Sequence, residues 1–278
     1  MTDTTTAVPT VTLNNGSTIP QLGFGVFLVP PEDTADIVAK ALDVGYRHID
    51  TAGAYGNEKG VGEAVRASGL SRDEVFVTTK LANEDQGAEC GLAAFETSLD
   101  KLGMDHVDLY LIHWPTPARD LYVETWQMME RLYAEGRARA IGVSNFQPQH
   151  LRRLQAEATV LPAVNQIELH PTFTQTELRE VHAQMGIATE AWAPIAQGAE
   201  LDNPTIGEIA QRVGKSPAQV ILRWHLQLGN IVFPKSVTPA RIEENFDLFG
   251  FELDDADMTS ITALDSGNRT GAHPEQVN

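Results

Sequence analysis

Short apolar runs recur along the chain, separated by longer stretches in which apolar residues return every three or four positions. The runs 22–26, 46–50, 75–79, 107–112, 138–143, 163–167, 187–193 and 231–234 read as eight strands, each rich in aliphatic or aromatic residues and each stopping at polar or turn-forming ones. Helical periodicity marks 33–44, 58–67, 88–102, 120–134, a helix opening at Pro148, then 175–184, 204–213, 217–228, 239–249 and a last short one at 254–264. In the first of these Ile37, Val38, Ala41, Leu42 and Val44 share a face and Gly45 stands just past the end, as a helix terminator should. Ser216, Pro217 and Gln219 supply a capping box for the helix at 217–228. Ahead of all this, Val11-Thr12-Leu13 and Ser17-Thr18-Ile19 flank Asn14-Asn15-Gly16, a turn that tolerates positive φ and so predicts a hairpin.

Strand and helix alternating eight times predict an α/β fold of the closed (β/α)8 TIM-barrel type, one domain over 1–278 with the hairpin capping its bottom and extra helices near the C-terminus. An open doubly wound sheet would want a glycine fingerprint after the first strand. Gly23-Phe24-Gly25-Val26-Phe27-Leu28 lacks the third glycine, and Gly60-Val61-Gly62 falls inside a helix.

Such barrels keep their chemistry where the strands end. Asp50 closes the second run with Tyr55 five residues on, Lys80 follows the third and His113 the fourth. Ser144-Asn145, Asn165-Gln166, Trp192 and Lys235-Ser236 close the later runs. A tyrosine is a poor acid at neutral pH, with an ordinary pKa of about 10, and needs a neighbouring charge for proton chemistry. Thr238-Pro239-Ala240-Arg241 reads as a helix start that Thr238 can cap, and with Lys235 and Arg241 beside it this is a phosphate site.

Charge sharpens that contrast. The chain carries a formal net charge of -18 and a pI near 4.7, which argues against nucleic acid or an anionic membrane as a partner. Met1 to Thr10 is polar without the basic and apolar regions of a signal peptide, and no run is long enough to span a bilayer, so the cytoplasm is expected. The single cysteine, Cys90, excludes an intrachain disulfide, and its acidic neighbour Glu89 gives it no activating charge. The histidines include no His-Glu-x-x-His and no pair at i, i+4, so a metal is not expected.

Asp50-Thr51-Ala52 through Tyr55-Gly56-Asn57-Glu58, Thr79-Lys80, His113-Trp114-Pro115, Gly142-Val143-Ser144-Asn145-Phe146, Asn165-Gln166-Ile167-Glu168, and Pro234-Lys235-Ser236 with Arg241 and Asn245 follow one another in a familiar order. Over nearly the whole chain the sequence resembles the aldo-keto reductases, closest to the bacterial branch of 2,5-diketo-D-gluconic acid reductases. The resemblance implies NADPH-dependent reduction of aldehydes, ketones or keto sugars, such as 2,5-diketo-D-gluconate or methylglyoxal, by a monomer. Asp50, Tyr55, Lys80 and His113 would form the catalytic tetrad. Ser144, Asn145 and Gln166 would hold the nicotinamide amide, and Trp192 would stack on its ring. Lys235, Ser236, Arg241 and Asn245 would bind the adenosine 2′-phosphate end, with Glu244 beside it. Phe27, Tyr55, His113 and Trp114 would line the substrate pocket. In this scheme a hydride leaves an alkoxide to be protonated by Tyr55, whose pKa Lys80 lowers while Asp50 holds the lysine. His113 would orient the carbonyl oxygen.

The sequence departs from the family pattern at three alanines. Ala82 stands where many members carry tryptophan, and Ala193 and Ala196 flank the loop after Trp192 where members often have Ser and Leu-Gly. These changes bear on the pocket and not on the reaction. Two other readings use the same residues: a Schiff-base aldolase with Lys80 as its amine, and a regulatory protein that holds NADPH with little turnover.

Overall fold

The computed structural model describes residues 8–278, so Met1 to Ala7 of the polar N-terminal segment lie outside the described residues. The hairpin forms as expected. Strands β1 (Thr10–Thr12) and β2 (Thr18–Pro20) pair antiparallel with Val11 opposite Ile19. Gly16 makes the turn at φ 84°. Asn14 donates to Pro162 O and Asn15 to Arg139 O, which pins the turn beneath the N-terminal ends of the sixth and fifth barrel strands.

Eight parallel strands follow in chain order as neighbours: β3 (Phe24–Gly25), β4 (His48–Asp50), β5 (Phe76–Leu81), β6 (Val107–Ile112), β7 (Ala138–Ser144), β8 (Val164–Glu168), β9 (Ala188–Trp192) and β10 (Ile231–Val232). The ring closes where Leu22 bridges Val232 in parallel, Gly23 N–H donating to Val232 O at 2.7 Å and Val232 N–H to Gln21 O at 2.9 Å. Around it run α1 (Pro31–Val44), α2 (Glu58–Ala67), α3 (Ala88–Leu102), α4 (Tyr122–Ala134), α5 (Pro148–Glu157), α6 (Thr176–Met185), α7 (Pro204–Val213), α8 (Pro217–Gln227), α9 (Pro239–Phe246) and α10 (Asp255–Thr262). No helix among the described residues is long and apolar enough to cross a membrane.

Successive strand side chains point to opposite faces, which splits the core in two. Tyr110 and Ile112 on β6, Ile141 and Val143 on β7, and Val77 and Leu81 on β5 face the helices in the larger cluster. Leu109, Leu111, Ala140, Val164 and Ile231 fill the lower barrel interior, sealed from below by Leu13 and Ile19 of the hairpin. Above this plug the inward positions turn polar: Asp50 and Lys80 are at most 2% exposed, and Gln166 and Glu190 are as deeply buried.

Among the element boundaries that differ from the expectation, three have a visible cause. β5 continues through Leu81, because Lys80 keeps the inward phase of Thr78 and stays paired to β6. α4 starts at Tyr122, since Asp120 adopts φ 52°. α9 stops at Phe246 because the Gln219 amide of α8 donates to Glu244 O and Asp247 O, ending the helix from outside.

Helix contacts are close enough to demand glycine. A Cβ on Gly62 of α2 would lie well inside van der Waals contact of the Leu102 backbone carbonyl at the end of α3. Alanine gains about 1 kcal/mol of helix propensity there, but the obstacle is backbone and cannot rotate away. Overpacking costs about 3 kcal/mol when neighbours must shift. Gly62→Ala is therefore expected to lower the urea midpoint at unchanged m value; an equal or higher midpoint would show that α2 and α3 separate freely.

Candidate active site

The polar rim is a product of strand register. Asp50 pairs across from Thr78, Lys80 from Leu111, Ser144 from Gln166 and Gln166 from Glu190. Each of these polar residues sits in phase with the inward-facing residues of its own strand. The loop after β4 then returns as a short 3-10 turn, Gly53–Tyr55, ended by Gly56 at φ 72°. Thr51 Oγ1 donates to Asn57 Oδ1 and Asn57 Nδ2 to Val26 O, each at 2.8 Å, so this loop is tied to the one carrying Phe27.

The four expected catalytic side chains come together. Lys80 Nζ donates to Asp50 Oδ1 at 2.6 Å and to Thr51 O at 2.8 Å, and lies 3.4 Å from Tyr55 Oη. The His113 ring meets the Tyr55 ring edge-on at 5.7 Å between centroids. Phe27, 53% exposed, stands 5.0 Å from the Tyr55 ring, and Trp114 packs edge-on against Trp192 at 6.5 Å.

Burial pushes Tyr55 above its ordinary pKa, and the Lys80 charge opposes without reversing this. That corrects the expectation of a lowered value: the phenol stays protonated. Lys80 is likewise raised, since Asp50 and Tyr55 outweigh its burial. Burial also raises Asp50, against the pull of Lys80 and Gln166. His113 is lowered to about 3 by burial and by the Lys80 charge, so its imidazole is neutral.

The expected nicotinamide contacts form one hydrogen-bonded group. Ser144 Oγ donates to Gln166 O, and Asn145 Nδ2 donates to His113 O and to Ser144 Oγ. Trp192 Nε1 donates to Asn145 Oδ1 at 2.8 Å. Asn145 itself holds φ 65°, which aims its side chain across the rim. Gln166 differs from the expectation in its engagement: its Nε2 hydrogens go to Asp50 Oδ2 at 2.8 Å and Glu190 Oε2 at 2.9 Å, leaving Oε1 as the atom that could meet a carboxamide.

At the start of α9, Lys235 and Arg241 are exposed and have no acidic partner within ion-pair distance among the described residues. Thr238 does not cap the helix with its side chain. Ser236 Oγ instead accepts from Thr238 N–H at 3.1 Å. Asn245 is buried and Glu244 half-buried one and a half turns further on. The loop after Trp192 winds through left-handed conformations at Ala193, Ala196 and Gln197, with φ between 47° and 54°, so both alanine departures sit at strained positions. Ala82 is buried just past β5.

In the C-terminal tail both Arg269 and His273 are engaged within the chain. His273 Nδ1 accepts from Glu275 N–H. Arg269 lies 3.5 Å from Glu168 and stacks on Phe173. Glu168, buried at the end of β8, also accepts from Thr270 N–H, Thr270 Oγ1 and Gly271 N–H. Gly271 lies against the Trp192 indole so closely that a Cβ would overlap it. Burial pushes Glu168 up, but His170, Thr270 and Gly271 outweigh it and bring it to about 2. His170, between Glu168 and Glu200, is brought up to about 8 by the two carboxylates against its burial.

The rim thus sets a buried carboxylate and ammonium beside a half-buried phenol and a neutral imidazole, an arrangement suited to moving a proton next to a bound ligand. The chain belongs to the aldo/keto reductase family, whose sequence model matches residues 21–266. It is similar to an aldo-keto reductase of Mycobacterium sp. (strain KMS), 57% identical over 97% of this chain and 98% of that one. Methylglyoxal reductase DkgA of Yersinia pestis is 50% identical over 97% and 98%. Among solved structures, a mutant of Gox0644 in complex with NADPH is 46% identical, with a TM-score of 0.95 over 98% of this chain and 99% of that one.

The Glu168 contacts set a pH dependence. Its folded pKa of about 2 lies below the ordinary 4.5, so the stability it contributes is present above 4.5 and lost as pH falls toward 2. Glu168→Gln is expected to lower the Tm at neutral pH and to shrink the gap to wild type as pH falls through that window. A gap independent of pH would show that the carboxylate charge does not hold the tail.

Proposed function

We propose that the chain reduces small aldehydes, ketones or keto sugars to alcohols, with NADPH as hydride donor and Tyr55 as proton donor. The observation that carries this reading is the position of Lys80 Nζ between Asp50 Oδ1 and Tyr55 Oη. When bound, the nicotinamide supplies a hydride to the carbonyl carbon. The growing negative charge on oxygen then meets a phenol kept protonated by burial, beside an ammonium that stabilises the phenolate left behind. Neutral His113 carries one ring N–H and can donate it to the same oxygen.

The residues present suit NADPH. Ser144, Asn145 and the Oε1 of Gln166 offer donors and an acceptor for the carboxamide, and Trp192 offers a ring face. Lys235 and Arg241, cations without acidic partners in an acidic chain, suit the 2′-phosphate, with Ser236, Asn245 and Glu244 around it. Phe27 and Trp114 form the aromatic walls over Tyr55 and His113. The methylglyoxal reductase relative supports a 2-oxoaldehyde as first substrate to test, with 2,5-diketo-D-gluconate second. The reading includes a cytoplasmic monomer of one domain. A Schiff-base aldolase is disfavoured, because Lys80 is held protonated by Asp50 and a charged amine is no nucleophile.

Tyr55→Phe is expected to reduce NADPH-dependent methylglyoxal turnover by about 10²-fold or more while NADPH still quenches Trp192 fluorescence; retained turnover would remove Tyr55 as donor. Arg241→Ala is expected to weaken NADPH about tenfold, the effect of one phosphate contact worth about 1.4 kcal/mol, and to leave NADH affinity unchanged. Equal effects on both cofactors would show that Arg241 does not read the 2′-phosphate.

A further inference from the structure

Glu190 lies inside the barrel on β9, fully buried, in phase with Trp192 above it. Its Oε2 accepts from Gln166 Nε2 at 2.9 Å, and the same nitrogen donates to Asp50 Oδ2 at 2.8 Å. Its Oε1 is buried with no hydrogen-bond partner among the described residues. Two carboxyl groups thus share one amide, and one cation, Lys80, bonds to only one of them. A carboxylate buried without a cation is costly, so one of the two keeps a proton. The 2.6 Å bond from Lys80 assigns the charge to Asp50 and the proton to Glu190.

We propose that Glu190 is a positioning residue for the tetrad: a neutral carboxylic acid that anchors Gln166 and, through it, sets how strongly Asp50 holds the Lys80 ammonium. This rests on the reductase reading above. If Glu190 ionises, a second negative charge stands one amide away from Asp50. The ammonium is then drawn toward the carboxylates, and Tyr55 becomes a weaker proton donor.

The titratable groups acting on Glu190 are Asp50 on β4 and Lys80 on β5; Gln166 on β8 donates to it, and β10 sets apolar Ile231 beside it. Burial first and Asp50 second push it up to about 8, against Gln166 and Lys80. Around the tetrad His113 and His48 titrate near 3, while Tyr55 and Lys80 are raised above their ordinary alkaline values. His170, also brought up to about 8, bonds to Glu168 and Glu200 and is left unchanged by a substitution at Glu190, so an alkaline limb near pH 8 that such a substitution removes belongs to Glu190.

The test compares wild type with Glu190→Gln, which keeps the shape and the acceptor oxygen but cannot ionise. In NADPH-dependent methylglyoxal reduction between pH 6 and 10, wild-type kcat is expected to fall about three- to tenfold around pH 8, the size of a charge at this range in a protein interior. KM for the carbonyl should stay level. In Glu190→Gln the limb disappears or moves up by about one pH unit or more; an unmoved limb overturns the proposal. A second readout needs no substrate. Folded Glu190 keeps its proton to about pH 8 whereas an unfolded one releases it near 4.5, so wild-type stability falls across that window as pH rises. The Tm advantage of Glu190→Gln should widen from pH 5 to 8 and then level off, and a constant difference overturns the neutral acid. Absence of carbonyl turnover in both proteins would instead defeat the reductase reading, with the Tm comparison still deciding the state of Glu190.

Discussion

Holding a charged lysine and aspartate inside a barrel is the constraint to which the remaining features answer. Lys80 is fully buried and Asp50 nearly so, and desolvating two such ions costs several kcal/mol each unless their geometry is good and their remaining valences are filled. Here every valence of the ammonium has a partner: Asp50 Oδ1, Thr51 O and Tyr55 Oη. The second oxygen of Asp50 is satisfied by Gln166. Tyr55 thus completes the solvation of the ion pair, and its placement follows from the same need that places Thr51 and Gln166.

The two halves of the barrel interior divide the work. Below, Leu13 and Ile19 of the hairpin close a cavity already filled by Leu109, Leu111, Ala140, Val164 and Ile231. Water is kept from the floor, and the charges above it act on one another in a low dielectric. Above, the inward residues face the rim where a ligand can enter. The division arises from strand register alone, since the same strands send Tyr110, Ile112, Ile141 and Val143 outward to the helices.

Much of this was legible in the chain. The eightfold alternation identified the barrel, and Asp50, Lys80 and His113 stood at strand ends where the geometry brings them together. What stayed hidden depended on distances between segments far apart. The value of the half-buried Tyr55 phenol depends on weighing desolvation against one charge, and the charge could be read from the sequence but the desolvation could not. Glu168 was visible only as a member of a motif; its ties to Thr270 and Gly271 join residues about a hundred positions apart. Glu190 did leave a signal, a lone carboxylate in the run 187–193, in phase with Ala188 and Trp192, and that inward phase could have marked it. At the start of α9 no side chain caps the helix, and Ser236 Oγ accepts from the Thr238 N–H ahead of it, an outcome that only the backbone path decides.

The Trp192 indole is fixed at both ends, by Asn145 at its nitrogen and by Gly271 at its far edge. Any change in chain length between residues 266 and 271 would therefore act as a lever on an aromatic plane in the centre of the rim, although it falls in a surface segment where insertions are ordinarily harmless. In engineering terms the barrel has one loop-like stretch that must be handled as core, and fusions or circular permutations are better opened elsewhere, for instance at the turn around Gly136, where an added Cβ meets nothing.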